Sequence, residues 1–346
     1  MADDDEVRDR LSGWLRTKLS DTDDLHIEGL DRVEFGHSAE MMVLTIVTAD
    51  DSRDVVLRLR PRPPALLEPY DLKRQFEILQ ALEKTPVRAP RALWLEETGD
   101  VLGRPFFVMD RLPGDVYEMD APDVTPERIH QLCLGMAEQL AAIHRVDLEA
   151  TGLAALGDGH DHLERELDHW EHEMHRVQRA FLPALERLLA ALKDTKPEPY
   201  RTITLVHGDA KPGNFAFVGD DVSAVFDWEM TTLGDPLTDI GWMELLWMQP
   251  VGITSHPAAP SIEEFLSHYE SVSGIAVANR SWYRALNAYK MAVICLIGSM
   301  LFDSGDSADQ RFVLNAYGIS PLTQLGLAEL AIDEKLDDGP VMPRNV

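Results

Sequence analysis

The sequence predicts an α+β fold in two lobes, a small β-rich lobe followed by a larger, mostly helical one. Three observations predict it. Up to about residue 110, apolar residues fall in short β-prone runs separated by turn signals, with two amphipathic helices among them. The stretch Asp110-Arg111-Leu112-Pro113-Gly114 then breaks the pattern, because neither proline nor glycine sustains a regular element. From about residue 115 the apolar spacing changes to three and four, interrupted by one β-hairpin signature. The expected boundaries are 1–110 for the first lobe, 111–114 for a hinge and 115–346 for the second lobe.

In chain order, a helix is expected over 7–19, a strand near 32–35, and a strand over 41–48 after the loop Gly36-His37-Ser38-Ala39-Glu40. Residues 49–53 turn the chain and 54–60 return it. Alternation there puts Leu57 and Leu59 on one face and Val56, Arg58 and Arg60 on the other. A helix over 70–84 carries the stripe Leu72, Phe76, Leu79 and Leu82. Strands over 92–97 and 105–109 flank a turn. Thr125-Pro126 opens the next helix, since threonine caps and proline fits the first helical position; Ile129, Leu132, Met136, Leu140 and Ile143 continue it to 146. One charged amphipathic helix is expected over 162–192, and further helices over 239–247, 261–271, 280–302 and 321–330.

The chain has 346 residues, with 60 acidic against 32 basic side chains and a net charge of −28. Such a surface repels nucleic acid and anionic lipid, so neither is expected as a partner; an anionic ligand must be held by a local cationic pocket or a metal. Cys133 and Cys295 fall in apolar helical patterns and read as two buried thiols. The acidic start Met-Ala-Asp-Asp-Asp-Glu lacks the apolar core of a signal peptide, and the longest apolar run, 291–302, has twelve residues, too few to span a bilayer. A soluble, cytoplasmic protein is expected.

The chemistry concentrates in His207-Gly208-Asp209-Ala210-Lys211-Pro212-Gly213-Asn214, Asp227-Trp228-Glu229 and Gly234-Asp235-Pro236-Leu237-Thr238-Asp239. Asp209 and Asn214 are five apart, and Asp227 follows Asn214 by thirteen. Two β-prone runs around a Gly219-Asp220-Asp221 turn fill that interval, which reads as a hairpin. A hairpin returns the chain to its starting end, so Asn214 and Asp227 become neighbours. An amide oxygen and a carboxylate side by side, with a second carboxylate five residues upstream, suit a hard cation carrying phosphate oxygens. A positioned Mg²⁺, a carboxylate to orient a hydroxyl and cations on the phosphates are what phosphoryl transfer asks for.

This segment resembles the catalytic segment of the aminoglycoside phosphotransferase and choline kinase superfamily, which has a protein-kinase-like fold. The Val55–Pro61 region, Phe-Phe-Val-Met-Asp-Arg-Leu-Pro-Gly at 106–114, Ala-Ile-His-Arg-Val-Asp at 142–147 and Arg165 with Trp170 extend the resemblance over about 25–330. Within the superfamily these look nearest to the kinase-like domains related to those fused to acyl-CoA dehydrogenases. The resemblance implies an ATP- and Mg²⁺-dependent kinase acting on a hydroxyl of a small metabolite, hydroxyacyl-type compounds included. It makes Asp209 the catalytic carboxylate, Lys211 a cation on the transferring phosphoryl group, and Asn214 and Asp227 the Mg²⁺ ligands. Asp239 would brace the catalytic loop, His207 would prop it, and Glu229 would assist a metal or acceptor site.

In the first lobe the resemblance puts Arg58 on the α- and β-phosphates where kinases carry lysine, Ser38 on a phosphate, Met109 behind the adenine, and the backbone of Asp110 and Leu112 on its edge. Where the family has a glutamate paired to that cation, this chain has the neutral Gln75, with Glu77 on the other side of the helix. Two alternatives stand beside this reading: an aminoglycoside or macrolide phosphotransferase, and a nucleotide-binding pseudokinase scaffold, to which Gln75 and the single-glycine loop point. Arg165, Trp170, Trp242, Glu244, Trp247, Tyr283 and Lys290 are candidates for the acceptor pocket.

Overall fold

The computed structural model describes residues 4–20, 22–33, 40–336 and 338. Contacts divide the chain into two compact units, Met1–Gly114 and Asp115–Val346.

In the first unit, α1 (Asp4–Leu15) precedes β1 (His26–Val33), β2 (Glu40–Val47) and β3 (Ser52–Leu59); α2 (Leu72–Leu82), β4 (Ala92–Glu96) and β5 (Phe106–Asp110) follow. The strands form one antiparallel sheet in the order β1-β2-β3-β5-β4. Val55, Leu57 and Leu59 alternate onto one face, where they join Val7, Leu11 and Leu15 of α1 in a buried cluster. Val56 and Arg58 take the other face, opposite Met109 and Phe107 of β5. There α2 packs, with Phe76 against the Phe107 ring at 6.0 Å. Asp71 caps α2 by accepting from the Arg74 N–H at 2.9 Å. Gln75 lies buried on the apolar stripe of α2 and Glu77 is exposed, as the periodicity requires. The phosphate-loop residues 36–39, Ser38 included, lie outside the described residues.

In the second unit, β6 (Asp115–Val116) is followed by α3 (Pro126–His144), the short α4 (Leu148–Thr151), α5 (His162–Val177), α6 (Pro183–Asp194), β7 (Thr204–Val206), β8 (Phe215–Val218), β9 (Asp221–Val225), β10 (Thr232–Gly234), α7 (Leu237–Trp247), α8 (Ile262–Ser273), α9 (Arg280–Ser304) and α10 (Arg311–Glu329). Two small antiparallel sheets, β6-β8-β9 and β10-β7, sit among the helices. Helix α1 runs Asp4–Leu15 rather than 7–19, and two helices of the second unit differ from expectation by more. The single helix over 162–192 is two helices: α5 ends at Val177, where Gln178 turns extended, and Pro183, which fits a first helical position, opens α6 after a non-helical stretch. The last helix begins at Arg311, ten residues before Pro321, which lies in its interior. A proline reads as a helix start from sequence alone; packing of α10 along α9 carries the helix through it here. By length and composition α9 passes as a membrane-spanning helix, but most of it is buried against α5, α6, α7 and α10 as a core helix is. Cys133 and Cys295 are free and buried.

Candidate active site

The site of the second unit grows from a loop between two strand pairs. β7 pairs with β10, Val206 opposite Thr232, and delivers the chain to His207. The loop then makes a tight turn, with the Lys211 N–H on the Asp209 carbonyl at 2.8 Å, and a single 3-10 turn over Pro212–Asn214 before β8. The hairpin of β8 and β9 pairs Phe215 with Val225, and the Phe226 N–H donates to the Asn214 carbonyl at 2.8 Å. Asn214 and Asp227 therefore flank the same end of the hairpin. Asp227 holds φ 65°, in the left-handed region that few residues other than glycine enter.

The backbone of this loop is pinned from below. The buried carboxylate of Asp239, in the first turn of α7, accepts the His207 N–H at 2.7 Å and the Gly208 N–H at 2.8 Å. His144 Nε2 lies 3.0 Å from the same carboxylate, and its Nδ1 lies 2.6 Å from the Tyr269 hydroxyl. Burial alone would raise the pKa of Asp239, but the His144 bond and charge and the loop amide hold it below the usual range. His207 props the loop from within: Nδ1 accepts the Asp209 N–H at 3.2 Å, so Nε2 carries the proton toward the Phe226 carbonyl at 2.9 Å. Gly208 is required where it stands, since a Cβ there would lie 2.3 Å from the Met230 carbonyl oxygen.

Asp209 presents its carboxylate with both oxygens engaged. The Trp242 indole N–H donates to Oδ1 at 2.8 Å, and Asn214 Nδ2 donates to Oδ2 at 2.8 Å and to the Asp209 carbonyl at 2.8 Å. With that amide nitrogen committed, the opposite end of the planar Asn214 amide is its carbonyl oxygen, a hard donor. Partial burial raises the Asp209 pKa and the Asp227 charge adds to the rise, against the pull of Lys211. Burial works to lower the Lys211 pKa, yet the carboxylates of Asp209, Glu118 and Asp227 hold it above its ordinary value. Asp209, Lys211 and Asp227 are thus within one another's electrostatic reach. Lys211 Nζ lies 3.1 Å from Glu118 Oε1, and Glu118 packs against Gly213 of the loop.

Among the described residues no group of three or more His, Cys, Asp and Glu side chains is arranged to hold a metal ion. Asn214 and Asp227 offer one neutral and one anionic oxygen ligand, a set that fits Mg²⁺ bound with phosphate oxygens and water rather than in an all-protein cage.

In the first unit, Arg58 is buried with Nε on the Tyr70 hydroxyl at 3.0 Å. Met109 shares its sheet face. The Asp110 carboxylate accepts from Arg53 Nε at 2.9 Å and Arg91 Nε at 3.2 Å, and its N–H donates to the Arg91 carbonyl at 3.0 Å. The Asp110 N–H is thereby committed within the sheet. Leu112 is half-buried in the segment after β5.

Of the seven acceptor candidates, two enter the site. Trp242 binds Asp209, and Lys290 Nζ donates to the Gly208 carbonyl at 3.2 Å. The others hold the scaffold or lie on the surface: Glu244 pairs with Arg280 and Arg284, Tyr283 donates to Asp235 at 2.7 Å, Trp247 packs on Phe265, Trp170 is buried with its N–H on Glu166, and Arg165 pairs with Asp161. Sequence held a signal for Trp242, which follows Asp239 by three and so shares its helix face. A lone lysine within the apolar α9 was the corresponding signal for Lys290. Glu118 carried none.

Residues 44–277 match the model of the phosphotransferase enzyme family, APH. The chain belongs to this family. Its curated relatives include mouse acyl-CoA dehydrogenase family member 10, 31% identical over 302 residues, and rat acyl-CoA dehydrogenase family member 11, 27% identical over 285. These alignments cover 83% and 78% of this chain but only 28% and 37% of the relatives, so the chain spans little more than a third of their length at most. Among solved structures, a Ralstonia eutropha protein classed with the aminoglycoside phosphotransferases superposes with a TM-score of 0.77 at 22% identity, covering 93% of this chain and 98% of that one. Aminoglycoside phosphotransferase APH(4)-Ia, in a ternary complex with ADP and hygromycin B, gives 0.59 at 14%, covering 93% and 98%. A macrolide 2'-phosphotransferase from Brachybacterium faecium gives 0.54 at 21%, covering 90% and 96%. The fold is that of the protein-kinase-like phosphotransferases, and the loop that carries Asp209, Lys211 and Asn214 is part of the matched family segment.

Proposed function

We propose that the protein is an ATP- and Mg²⁺-dependent kinase that transfers the γ-phosphoryl group to a hydroxyl of a small metabolite. The observation that carries this reading is the Asp209 carboxylate, held at both oxygens by Trp242 and Asn214 with Lys211 and Asp227 in electrostatic reach. Asp209 orients the acceptor hydroxyl and takes its proton as the acceptor oxygen bonds to γ-phosphorus and the bond to the β–γ bridging oxygen breaks, releasing ADP. A carboxylate suits that step whatever its exact pKa, because positioning matters more than basicity in a loose transition state. Lys211 steadies a γ-phosphate oxygen, exchanging Glu118 for it. Mg²⁺, when bound by Asn214 and Asp227, would supply charge neutralisation to the phosphates. In the first unit, Arg58 holds α- and β-phosphate oxygens, Met109 backs the adenine, Asp110 and Leu112 meet its edge with backbone groups, and Ser38 contributes to a phosphate.

ADP in the complex of a structural neighbour supports nucleotide use. The two acyl-CoA dehydrogenase family relatives are more similar in sequence than the antibiotic-modifying neighbours, which favours a metabolite acceptor, hydroxyacyl compounds included, over an antibiotic. We place this reaction in the cytoplasm, one of the compartments that hold ATP.

The test has two parts. ATP should stabilise the protein against heat only with Mg²⁺ present. Asp227→Ala should abolish that stabilisation, and Asp209→Asn should keep it while lowering acceptor-dependent ADP release by about two to four orders of magnitude. The acceptors to screen are hydroxyacyl thioesters, aminoglycosides and macrolides. Wild-type protein that neither gains stability from Mg·ATP nor releases ADP would move the reading to a pseudokinase scaffold.

A further inference from the structure

We propose that Trp242 and Lys290 are positioning residues for the Asp209 carboxylate, acting as a relay from the ion pair of buried Lys290 with half-buried Glu166 to the reacting group. The proposal rests on Asp209 being the carboxylate that meets the acceptor hydroxyl.

A carboxylate on an aspartate turns easily about its last torsion, whose wells are broad. Two donors on different oxygens remove that freedom. Asn214 holds Oδ2 and Trp242 holds Oδ1, each at 2.8 Å. The two donors differ in kind. An indole has a single N–H and no acceptor, so Trp242 makes this bond or none, and at 2% exposure it has no water to turn to. Each carboxylate oxygen keeps further lone pairs for the acceptor hydroxyl.

Trp242 is itself fixed by a charge. Lys290 Nζ lies 5.0 Å from the centroid of the Trp242 ring and 5.6 Å from that of Trp170. A desolvated ammonium in that place draws electron density to the ring face, which holds the ring and polarises its N–H toward Asp209. The same ammonium donates to the Gly208 carbonyl at 3.2 Å, one residue before Asp209, and pairs with Glu166 at 3.3 Å. Lys290 is 4% exposed in a helix otherwise apolar enough to pass for a membrane span. Burying a charge there costs free energy that a hydrophobic residue would not. A plain ion pair would explain the Glu166 contact alone. The relay also explains why the ammonium lies over the ring that binds Asp209 and on the carbonyl beside it.

The test reads the indole N–H directly. Of the signals from seven tryptophans in a ¹H–¹⁵N spectrum, the one lost in Trp242→Phe should lie at low field, as expected of a donor to a carboxylate. In Asp209→Asn it should move upfield by more than any other indole signal. It should move upfield again in Lys290→Met combined with Glu166→Gln, which removes both charges of the pair together. Should Trp242→Phe fail to fold, the Asp209→Asn spectrum decides alone: no indole signal displaced beyond the rest overturns the relay. In turnover, Trp242→Phe should lower kcat about 10- to 100-fold with the KM for ATP unchanged, the scale of a misplaced reacting group. An equal loss through KM, with kcat intact, would also overturn it. A wild-type protein that turns over no acceptor would remove the kinase reading and leave the spectra to judge the relay.

Discussion

Arg58 shows how far a single position can be read. Alternation put it on the face opposite Leu57 and Leu59, and the structure has it there, buried, with Nε on the Tyr70 hydroxyl at 3.0 Å. The guanidinium carries five N–H donors in a rigid fork, so one bond to a phenol orients it without exhausting it. Burying that charge on the sheet face that also carries Met109, with the neutral Gln75 on the helix packed there, suits an anionic ligand. Arg58→Ala should then weaken Mg·ATP binding by about 1.5–3 kcal/mol by titration calorimetry, the scale of a charge-assisted hydrogen bond. Arg58→Lys should recover part, since a point charge cannot replace a two-pronged contact. Unchanged affinity in Arg58→Ala would make Arg58 a packing residue. Asn214 and Asp227 were legible as neighbours because two β-prone runs around a turn fill the interval between them, and Asp209 joined them through the family resemblance of the whole segment. Glu118 was not, because its contact with Lys211 joins positions 93 apart, and no local pattern marks such a pair.

At the scale of elements, the catalytic loop depends on backbone shapes that only certain residues adopt. Gly208 combines φ 86° with a Cβ position 2.3 Å from the Met230 carbonyl oxygen. Gly219, in the β8–β9 turn, has φ 60° but open space around its Cβ position. The two glycines separate conformation from crowding. Gly219→Ala should cost about 1 kcal/mol in urea unfolding, the intrinsic penalty of a left-handed residue with a Cβ. Gly208→Ala should cost about 3 kcal/mol, because the backbone of the 230 segment must also move. Equal costs would mean that the loop gives way without strain. The β8–β9 hairpin was readable since two β-prone runs and a turn fall close together in sequence. The strands β7 and β10 were not, because three-residue strands paired across 26 or more positions leave no period to detect. The division of 162–192 was hidden because apolar residues continue on both sides of it: α5 ends at Val177, the chain runs extended through Gln178, and Pro183 opens α6.

Over the whole molecule two opposing charge effects set the dependence of stability on pH. A net charge of −28 strains the folded state by self-repulsion, and that strain eases as surface carboxylates take up protons. Buried carboxylates work the other way. Glu166 is driven down to about 2: burial opposes its charge, but Lys290, His162 and the Trp170 N–H prevail. Asp239 is lowered for the related reason that His144 and the loop amide outweigh its burial. A carboxyl whose folded pKa lies below its unfolded value adds stability that is complete above the unfolded value and is lost as pH falls through the folded one. For Glu166 that window runs from 4.5 down to about 2. Above it the surface term is opposed by His162, whose imidazole burial holds below its ordinary value of 6.5, so that stability is lost as pH falls through that value. Tm should change little from neutral pH toward pH ~5, and added salt, which screens only the surface term, should tip it toward a fall. Within it Glu166 loses its advantage, Asp239 loses its own below its ordinary value of 3.8, and Tm should fall steeply. Glu166→Gln cannot ionise, so its Tm should be lower at neutral pH, where Lys290 lacks its partner, and should fall less between pH ~4.5 and ~2. Calorimetric scans of both proteins across that range check the prediction: parallel curves would show that Glu166 has no lowered pKa in the folded state and that the acid limb belongs to Asp239 and the remaining carboxylates.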